Sequence, residues 1–310
     1  MMTHQGPEIL FIVDGPNWAL DFNTRGLQDA LGKECQIVKR YQAEVTETEL
    51  GHADLILVYY WLQFRHMSHL EAAFMRYRHK LLIGVCGHVG LEGERRKPGL
   101  ATLRKLPRGV FVINMFLYCE LQSLLGLPVV YTPMGVDTAF YHPPPTMRVA
   151  PGLRVGWAGS LSNHGPKQRG FYDLIVPAVR SVEGAQLVTA IREQKWRGPE
   201  EMRDFYHSLD VYVCASHSEG TPNPCLEAAA CGVPVVTTRV GNMPELIEHG
   251  VNGFFVERDV ADIAARLTLL RDSPELRARL GRSMLSSIQA WDWKHRAENY
   301  RRMFQAVLKS

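Results

Sequence analysis

The feature that most constrains the fold is a regular alternation of short β-rich runs with helical patterns. The predicted strands of the first half are EILFIV, CQIVKR, DLILVYYW, KLLIGVC, GVFVIN and PVVYTP, with helical patterns such as residues 69–79 and 115–125 between them. The second half repeats the alternation with LRVGWAG, QLVTAI, VYVCAS and VPVVTT, and with helices over 171–180, over 200–209 and after Asn223. Three more helices are predicted across 261–309. Strands that alternate with helices in this way form parallel sheets, so we predict an α/β protein.

A proline-rich segment divides the alternation into two halves. Residues 142–152, HPPPTMRVAPG, contain four prolines and a glycine and cannot continue a helix or a strand. With 310 residues, of which 46% are hydrophobic and 22% charged, the chain has enough apolar material for two ordinary domains. We therefore predict two α/β domains joined by residues 142–152, with the ligand outside the carboxyl ends of the strands.

The sequence shows no membrane span, secretory signal or disulfide framework. Its longest apolar runs, residues 55–62 and 110–116, are shorter than the roughly 20 residues that a spanning helix needs. The N-terminus has no basic start followed by a long apolar centre and a cleavage site, so we expect a cytoplasmic protein. The six cysteines are scattered without a Cys-x-x-Cys pair. We expect most of them to be buried free thiols, and we expect no zinc site.

Charge is unevenly distributed along the first half. Residues 1–60 contain 4 Lys/Arg and 9 Asp/Glu, a balance of −5, whereas residues 61–110 contain 10 and 3, a balance of +7. Such a basic segment favours an anionic partner. It is equally compatible with a solvated face that the acidic segment balances after folding.

Two acidic residues flank a predicted helix start in the second half. In SEGTPNPCLEAAACGVPVVTT, residues 218–238, seven residues separate Glu219 from Glu227. Asn223 is predicted to cap the helix, with Pro224 at its first position and Gly232 at its end.

The amides of this helix start form a predicted phosphate site. Because proline has no N–H, the predicted donors are the backbone amides of Gly220, Thr221, Asn223 and Cys225. Carboxylates on both sides of a phosphate suit a nucleotide sugar, which has hydroxyls at both ends. The spacing alone also permits Glu227 to complement the helix dipole and Glu219 to be a loop charge.

The run SEGTPNPCLEAAACGVPVVTTRVGNMPELIEHGVNGFFV resembles the donor-binding segment of glycosyltransferase family 4, retaining enzymes of the GT-B fold. The family signature of Glu, seven residues and Glu corresponds to Glu219 and Glu227, and the resemblance extends over most of residues 151–300. KLLIGVCGHVG is similar to the strand that delivers the family's active-site histidine. TPMGVDTAFYHP resembles its Pro-Asn-Gly-Val-Asp junction, with Met134 in place of Asn. WDWKHRAENYRRMF is similar to the aromatic lead into a last helix that returns to the first domain.

The resemblance implies a GT-B fold of two Rossmann-like domains that face a central cleft. Residues 1–145 would form the acceptor-binding domain, with residues 293–310 packed back on it, and residues 146–292 would bind the nucleotide sugar. Glu227 would bind the ribose, Glu219 the transferred sugar, and His88 would lie beside that sugar, although Val89 replaces the family's usual Asp. The phosphate would be lined by Gly220, Thr221, Pro222 and Asn223.

The chain departs from the family pattern where the diphosphate is held. Ser160 stands in the position of an expected arginine, and Arg169-Gly170 replaces Lys-Gly after a longer loop. We predict that Arg169, with Lys167, supplies the positive charge, since arginine makes bidentate phosphate contacts. An alternative interpretation is that Lys167 is a solvated loop charge.

The end of the first strand is a weaker candidate site. Gly15 lies where the family commonly has a glycine-rich turn, although a plain turn explains it equally well. Asp14 is a candidate for the acceptor hydroxyl.

The implied reaction is transfer of a hexosyl group, with retention, from a UDP- or GDP-linked sugar, without a cofactor. Because the chain has no Asp-x-Asp, we predict that no metal is needed. The basic segment, including Arg95, Arg96 and Lys97, suits DNA with hydroxymethylated bases or a lipid phosphate as acceptor, while a small neutral acceptor stays open. The alternative function is a catalytically weakened GT-B module that binds nucleotide. A dinucleotide loop in GVCGHVG is disfavoured because the spacing is not GxGxxG.

Overall fold

The computed structural model describes residues 6–146, 151–162 and 166–309, which divide into two compact units. The first unit runs to Gly135 and resumes at Trp293, and the second is Val136–Asp292. The predicted linker falls partly outside the described residues, at 147–150, while its residues 142–146 belong to the second unit. The chain therefore passes from one unit to the other at Gly135, before the prolines.

The first unit is built on a six-stranded parallel sheet in the order β2-β1-β3-β4-β5-β6. Its strands are β1 (Glu8–Val13), β2 (Gln36–Tyr41), β3 (Leu55–Val58), β4 (Leu81–Val85), β5 (Gly109–Val112) and β6 (Val129–Tyr131). Its helices before residue 135 are α1 (Ala19–Leu31), α2 (Glu47–His52), α3 (Glu71–Arg76), α4 (Arg96–Lys105) and α5 (Met115–Leu124). Strands β3, β4 and β5 are buried along their whole length, as expected of parallel strands covered on both faces.

The helix predicted over 69–79 is shorter than expected. Only α3 is α-helical, and 3-10 turns at Ser68–Leu70 and Arg78–Lys80 flank it. Further 3-10 turns are Trp61–His66 and Gly93–Arg95.

The second unit has a five-stranded parallel sheet in the order β11-β10-β9-β7-β8. Its strands are β7 (Leu153–Gly159), β8 (Ala185–Ile191), β9 (Val211–Cys214), β10 (Val235–Thr237) and β11 (Gly253–Phe255). Its helices are α6 (Pro166–Arg169), α7 (Val176–Arg180), α8 (Pro199–His207), α9 (Asn223–Ala230), α10 (Met243–Leu246), α11 (Val260–Asp272) and α12 (Pro274–Ile288), with a π-helical turn at Phe171–Ile175 and a 3-10 turn at Gln289–Trp291. The predicted pair of parallel α/β units is confirmed.

Strand order reverses in the second sheet beside β7. This strand pairs with β8 on one side and with β9 on the other. Where strand order reverses, the loops after neighbouring strands diverge and leave a crevice at the carboxyl edge of the sheet. Ser160 follows β7 and Ser216 follows β9 closely, so the loops of interest start at this crevice.

The C-terminal helix α13 (Trp293–Leu308) belongs to the first unit and packs against α1. Its side chains Trp293, Tyr300 and Phe304 are buried. The Tyr300 hydroxyl lies 2.9 Å from the Tyr59 hydroxyl, and Arg301 forms an ion pair with Glu34 at 2.6 Å. The last helix is thus part of the first unit's core.

The structure tests two expectations from the sequence, the state of the cysteines and the presence of a membrane-spanning helix. All six cysteines are free; Cys119 is exposed, Cys86 is partly buried, and the other four are buried as expected. Among the described helices, none combines the length and the apolar character that crossing a membrane requires.

Candidate active site

Two predicted catalytic residues of the second unit lie in contact. Glu219 is in the loop after β9 and Arg169 ends α6, and Arg169 Nη1 lies 2.8 Å from Glu219 Oε1. The Ser216 hydroxyl donates to the same carboxylate oxygen at 2.7 Å. Because the two side chains are only 19% and 13% exposed, water screens this ion pair weakly. The residue predicted to bind the sugar and the cation predicted to bind the diphosphate are therefore neighbours.

Arg169 is held in place by a glycine and by Arg258. Gly170 has a φ of 65°, and a Cβ there would lie 2.7 Å from the Ala215 carbonyl oxygen, so only glycine lets α6 approach the loop after β9 so closely. The guanidinium of Arg258 donates to the carbonyls of Ala215, Gln168 and Lys167. Arg258 was not predicted as a site residue, and the sequence signal for it was its position just after GVNGFFV. The Lys167 side chain is exposed on α6.

The helix beside this ion pair begins differently from the prediction. In α9 the N-cap is Pro222 and Asn223 is already helical, so the prediction of an Asn223 cap is wrong. The Asn223 N–H donates to the Thr221 carbonyl at 3.0 Å, and the Cys225 N–H donates to the Pro222 carbonyl at 2.8 Å. Two of the four amides predicted for phosphate are thus used within the turn, because a proline at the cap folds the chain back on itself. Asn223 Oδ1 is buried without a hydrogen-bond partner among the described residues.

A second loop, missed in the sequence, packs on the loop that carries Glu219. Gly241 has a φ of 54°, and a Cβ there would lie 2.3 Å from the Gly220 carbonyl oxygen. The next residue, Asn242, is fully buried, and its Nδ2 donates to Thr221 Oγ1 at 3.1 Å. Within the described part of the chain its Oδ1 has no partner. A buried amide oxygen left unpaired is costly, so this atom is suited to accept from a ligand hydroxyl.

Glu227 lies on α9 and is partly buried. The Tyr206 hydroxyl donates to its Oε2 at 2.5 Å. Burial raises the pKa of Glu227 to about 7, although the bond from Tyr206 acts in the opposite direction. Burial and the nearby carboxylate raise the pKa of Tyr206, which therefore keeps its proton and stays the donor. Glu227 consequently changes its charge near neutral pH.

Ser160, in the position of the family's arginine, is bonded to a carboxylate. The hydroxyls of Ser160 and Ser162 each donate to Glu193 Oε1 at 2.6 Å. The amides of Leu161 and Ser162 donate to the same atom at 3.1 and 3.0 Å. These bonds, that from Ser160 above all, hold the pKa of Glu193 well below its usual range. The loop after β7 therefore holds an anion that belongs to the chain itself.

In the first unit, His88 follows β4 and is bonded to a glutamate that the sequence did not reveal. His88 Nε2 lies 3.1 Å from Glu120 Oε2, and Arg96 Nη2 lies 2.9 Å from the other oxygen of Glu120. A carboxylate bonded to an imidazole fixes the orientation and tautomer of the ring. One sequence signal could have identified Glu120 as a site residue, because it is the single charged residue in the apolar helix α5.

The remaining predicted residues of the first unit have simpler surroundings. Asp14 follows β1, and its Oδ1 accepts from the Gly15 N–H at 3.0 Å. A Cβ at Gly15 would come no closer than 3.8 Å to another group, so packing does not require glycine there. Arg95 and Lys97 are exposed at the start of α4. Among the described residues, no group of three His, Cys, Asp or Glu side chains is arranged to hold a metal ion.

Sequence comparison identifies the second unit. Residues 173–272 match the family described as Glycosyl transferases group 1. The match therefore lies within the second unit. The matched segment contains Glu219 and Glu227, and it begins just after Arg169.

Curated proteins similar to this chain are named glycosyltransferases. The chain is 35% identical over 157 residues to a D-inositol 3-phosphate glycosyltransferase from Saccharomonospora viridis, an alignment that covers 48% of this chain and 34% of that protein. It is 39% identical over 98 residues to the enzyme of the same name from an Arthrobacter species, covering 31% and 23%. The matched part thus spans about a third or less of these relatives.

Solved structures share the fold of the whole chain. Anabaena HepE in complex with UDP-glucose superposes with a TM-score of 0.79 at 15% identity, covering 97% of this chain and 100% of that one. Sucrose-phosphate synthase from Thermosynechococcus elongatus gives 0.76 at 16% identity, with the same coverage. The GT-B fold implied by the sequence resemblance is confirmed.

Proposed function

We propose that this protein is a retaining glycosyltransferase that moves a sugar from a nucleoside diphosphate sugar to an acceptor hydroxyl. The observation that carries the proposal is the Arg169–Glu219 ion pair, which lies at the carboxyl edge of the second sheet where strand order reverses. The names of the relatives support the reaction class, and the UDP-glucose bound by HepE supports the donor class. We assign a UDP- or GDP-linked sugar as the donor.

The donor would lie with its hydroxyls towards the two glutamates. Glu227, which titrates near neutral pH, accepts from the ribose, and Glu219 accepts from the transferred sugar. Arg169 uses the guanidinium donors not engaged by Glu219 to bind the diphosphate, and the exposed Lys167 adds a second positive charge. The unpaired Asn242 Oδ1 is a further acceptor for a sugar hydroxyl.

Catalysis in this proposal rests on stabilising the departing diphosphate. The bond from the anomeric carbon to the diphosphate oxygen breaks, and negative charge grows on that oxygen. A fixed guanidinium in a partly dry site stabilises such charge strongly. Retention requires the acceptor hydroxyl to attack the anomeric carbon from the face that the diphosphate leaves, with the hydroxyl proton passing to the departing diphosphate oxygen. The remaining task is to hold the acceptor there. Since cationic side chains neutralise the diphosphate, we propose that the reaction is independent of metal.

The acceptor is assigned to an anionic class. The segment 61–110 has a balance of +7, and its residues Arg95, Arg96 and Lys97 are exposed. The relatives are named for a phosphorylated acceptor, D-inositol 3-phosphate. His88, which Glu120 orients, lies in the same unit. DNA with hydroxymethylated bases and a lipid phosphate are the two acceptors to test, and binding of either should weaken steeply with salt.

One observation favours a second function, a GT-B module that binds nucleotide with little turnover. The loop after β7 holds Glu193 where the family pattern has an arginine, which removes one cation from the diphosphate region and leaves an anion in the neighbouring loop. Slow hydrolysis of a donor by the purified protein would separate the two functions.

The decisive experiment is a donor screen that measures release of nucleotide in the presence of EDTA. Each UDP- or GDP-sugar is tested with duplex DNA, lipid or small-sugar acceptors, and the anomeric configuration of the product is read by NMR. Turnover by the wild type should be lost in Glu219→Gln and kept in Glu275→Gln, an exposed glutamate of α12 that serves as a matched control. Inversion in the product, a requirement for added metal, or equal activity of the two variants would each overturn the corresponding part of the proposal.

A further inference from the structure

A basic groove lies at the amino-terminal edge of the first unit's sheet. It is a cavity of about 980 Å³. Several of its lining residues immediately precede strands: Asp54 comes before β3, Lys80 before β4 and Arg108 before β5. Because all six strands are parallel, His88, which follows β4, lies at the opposite edge of the sheet. The groove is therefore separate from His88 and from Arg96, which bonds to the same Glu120, although the groove's cations belong to the basic segment 61–110.

The lining of the groove is strongly cationic. Its charged and titratable side chains are Arg78, Lys80, Arg104, Arg108, His52, His79 and Asp54. Asp54 is the single carboxylate among the described lining residues, and its Oδ2 already accepts from the Glu8 N–H at 2.8 Å. Among the described lining residues, four lysine and arginine side chains thus stand against one carboxylate.

Neutral backbone carbonyls hold Arg104 and Lys80 in position. Arg104 Nε and Nη2 donate to the Leu124 carbonyl at 3.1 and 2.6 Å. Lys80 Nζ donates to the Gly51 carbonyl at 2.8 Å, and burial lowers the pKa of Lys80. Arg108 Nη1 donates to the Val307 carbonyl at 3.2 Å, which ties the end of α13 to the groove.

Arg78 differs from the other cations. Its side chain is exposed, and it has no hydrogen bond or ion pair with any described residue. Among the described residues, Arg104 likewise bonds only to Leu124, which leaves its Nη1 for other partners. Two guanidinium groups with unused donors therefore border one cavity.

We propose that this groove binds a multiply charged phosphate anion. Guanidinium groups make bidentate bonds to phosphate oxygens, and several of them around one cavity match a ligand with more than one negative charge. The volume of about 980 Å³ is in the range of small-ligand sites. Duplex DNA would instead need an extended basic surface. The phosphate is free in solution or carried by a lipid headgroup, since both present the same chemistry.

The test is calorimetric titration of the full chain with tripolyphosphate. The double variant Arg78→Gln and Arg104→Gln should bind it about tenfold or more weakly, because two charge-assisted contacts are lost. Lys105→Gln is the matched control, since Lys105 is exposed on the same helix as Arg104 but does not line the groove, and it should bind as the wild type does. Arg169→Ala should keep the component of binding that the double variant loses, because a tripolyphosphate bound at the proposed donor site of the second unit would titrate separately. Circular dichroism checks that each variant is folded.

The possible outcomes decide the proposal. Sedimentation with phosphatidylglycerol vesicles that depends on Arg78 and Arg104 would assign the phosphate to a lipid, whereas binding of tripolyphosphate without vesicle binding would assign a soluble ligand. Absence of any saturable binding, an equal loss in Lys105→Gln, or binding of duplex DNA without binding of tripolyphosphate would each refute it. Loss of binding in Arg169→Ala alone would mean that the titration reports the donor site. Because none of these titrations needs sugar transfer, the proposed function and the groove can fail independently.

Discussion

Replacing Tyr206 with phenylalanine should weaken donor binding through Glu227. Tyr206 is fully buried and contacts the rings of Tyr141 and Tyr212 at centroid distances of 6.1 Å each. Phenylalanine keeps these contacts and removes only the hydroxyl that donates to Glu227 at 2.5 Å. The variant therefore changes the proton affinity of Glu227 while it leaves the shape of the site almost unaltered.

The size of the effect follows from the pKa of Glu227. Burial raises this pKa to about 7, while the hydrogen bond from Tyr206 lowers it. Losing a hydrogen bond to a charged group costs about 1.5–3 kcal/mol, which corresponds to about a ten- to hundredfold increase in proton affinity. At about pH 7.5 the ionised fraction falls from roughly three quarters to between roughly one quarter and a few per cent. If the ribose binds to the carboxylate, donor affinity should fall about three- to 25-fold.

The sign of the pH dependence follows from the same shift. Ionised Glu227 accepts hydrogen bonds from hydroxyls, so donor affinity of the wild type should rise as the pH increases through about 7. In Tyr206→Phe the rise should move to higher pH. In Glu227→Gln, which cannot ionise, this rise should be absent.

The assay is calorimetric titration of the donor between about pH 6 and pH 9, with circular dichroism as a test of folding. Tyr212→Phe is the control, because Tyr212 is also buried but bonds to the backbone of Ala158. It should show the wild-type affinity and pH midpoint. Equal affinity and an equal midpoint in Tyr206→Phe and the wild type would refute this account of Glu227.

Other variants test the remaining contacts. Glu219→Ala should lower kcat at least about hundredfold with an unchanged circular dichroism spectrum, and normal turnover would contradict its assignment. Asn242→Ala should weaken binding of the sugar nucleotide about tenfold but not that of the free nucleotide, because only the sugar would reach Oδ1. Gly170→Ala should lower the free energy of unfolding in urea by about 1–3 kcal/mol. This loss of stability should exceed the loss in Gly184→Ala. Gly184 has a similar φ of 73°, but a Cβ there would meet no other atom closer than 4.0 Å.

The fold could be predicted because its signal is local. Runs such as DLILVYYW and KLLIGVC show their strand character within a few residues, and the alternation with helices implies parallel sheets. The spacing of Glu219 and Glu227 and the Arg169-Gly170 pair could also be recognised from short segments. The structure gives the glycine of that pair a definite cause, the close approach to Ala215.

The contacts that complete the site could not be predicted because they join distant segments. Glu120 is 32 positions from His88, Glu193 is 33 from Ser160, and Arg258 reaches α6 across 90 positions. No local pattern marks such partners. The prediction that Asn223 caps α9 was wrong for a different reason. Two prolines lie close to this helix start, and the path of the loop decides which residue becomes the N-cap. Residue propensities do not describe that path.

The three carboxylates at the carboxyl edge of the second sheet are stabilised in three different ways. Glu219 is paired with Arg169, Glu227 is partly protonated at neutral pH because of burial, and Glu193 is held by neutral hydroxyls and amides. Among the described residues Glu193 is thus the member of the three whose negative charge stays fully present without a cation. A diphosphate would be repelled most in the loop after β7 and least between Arg169 and the start of α9. We therefore propose that Arg169, together with Lys167, takes the role of the arginine that Ser160 replaces.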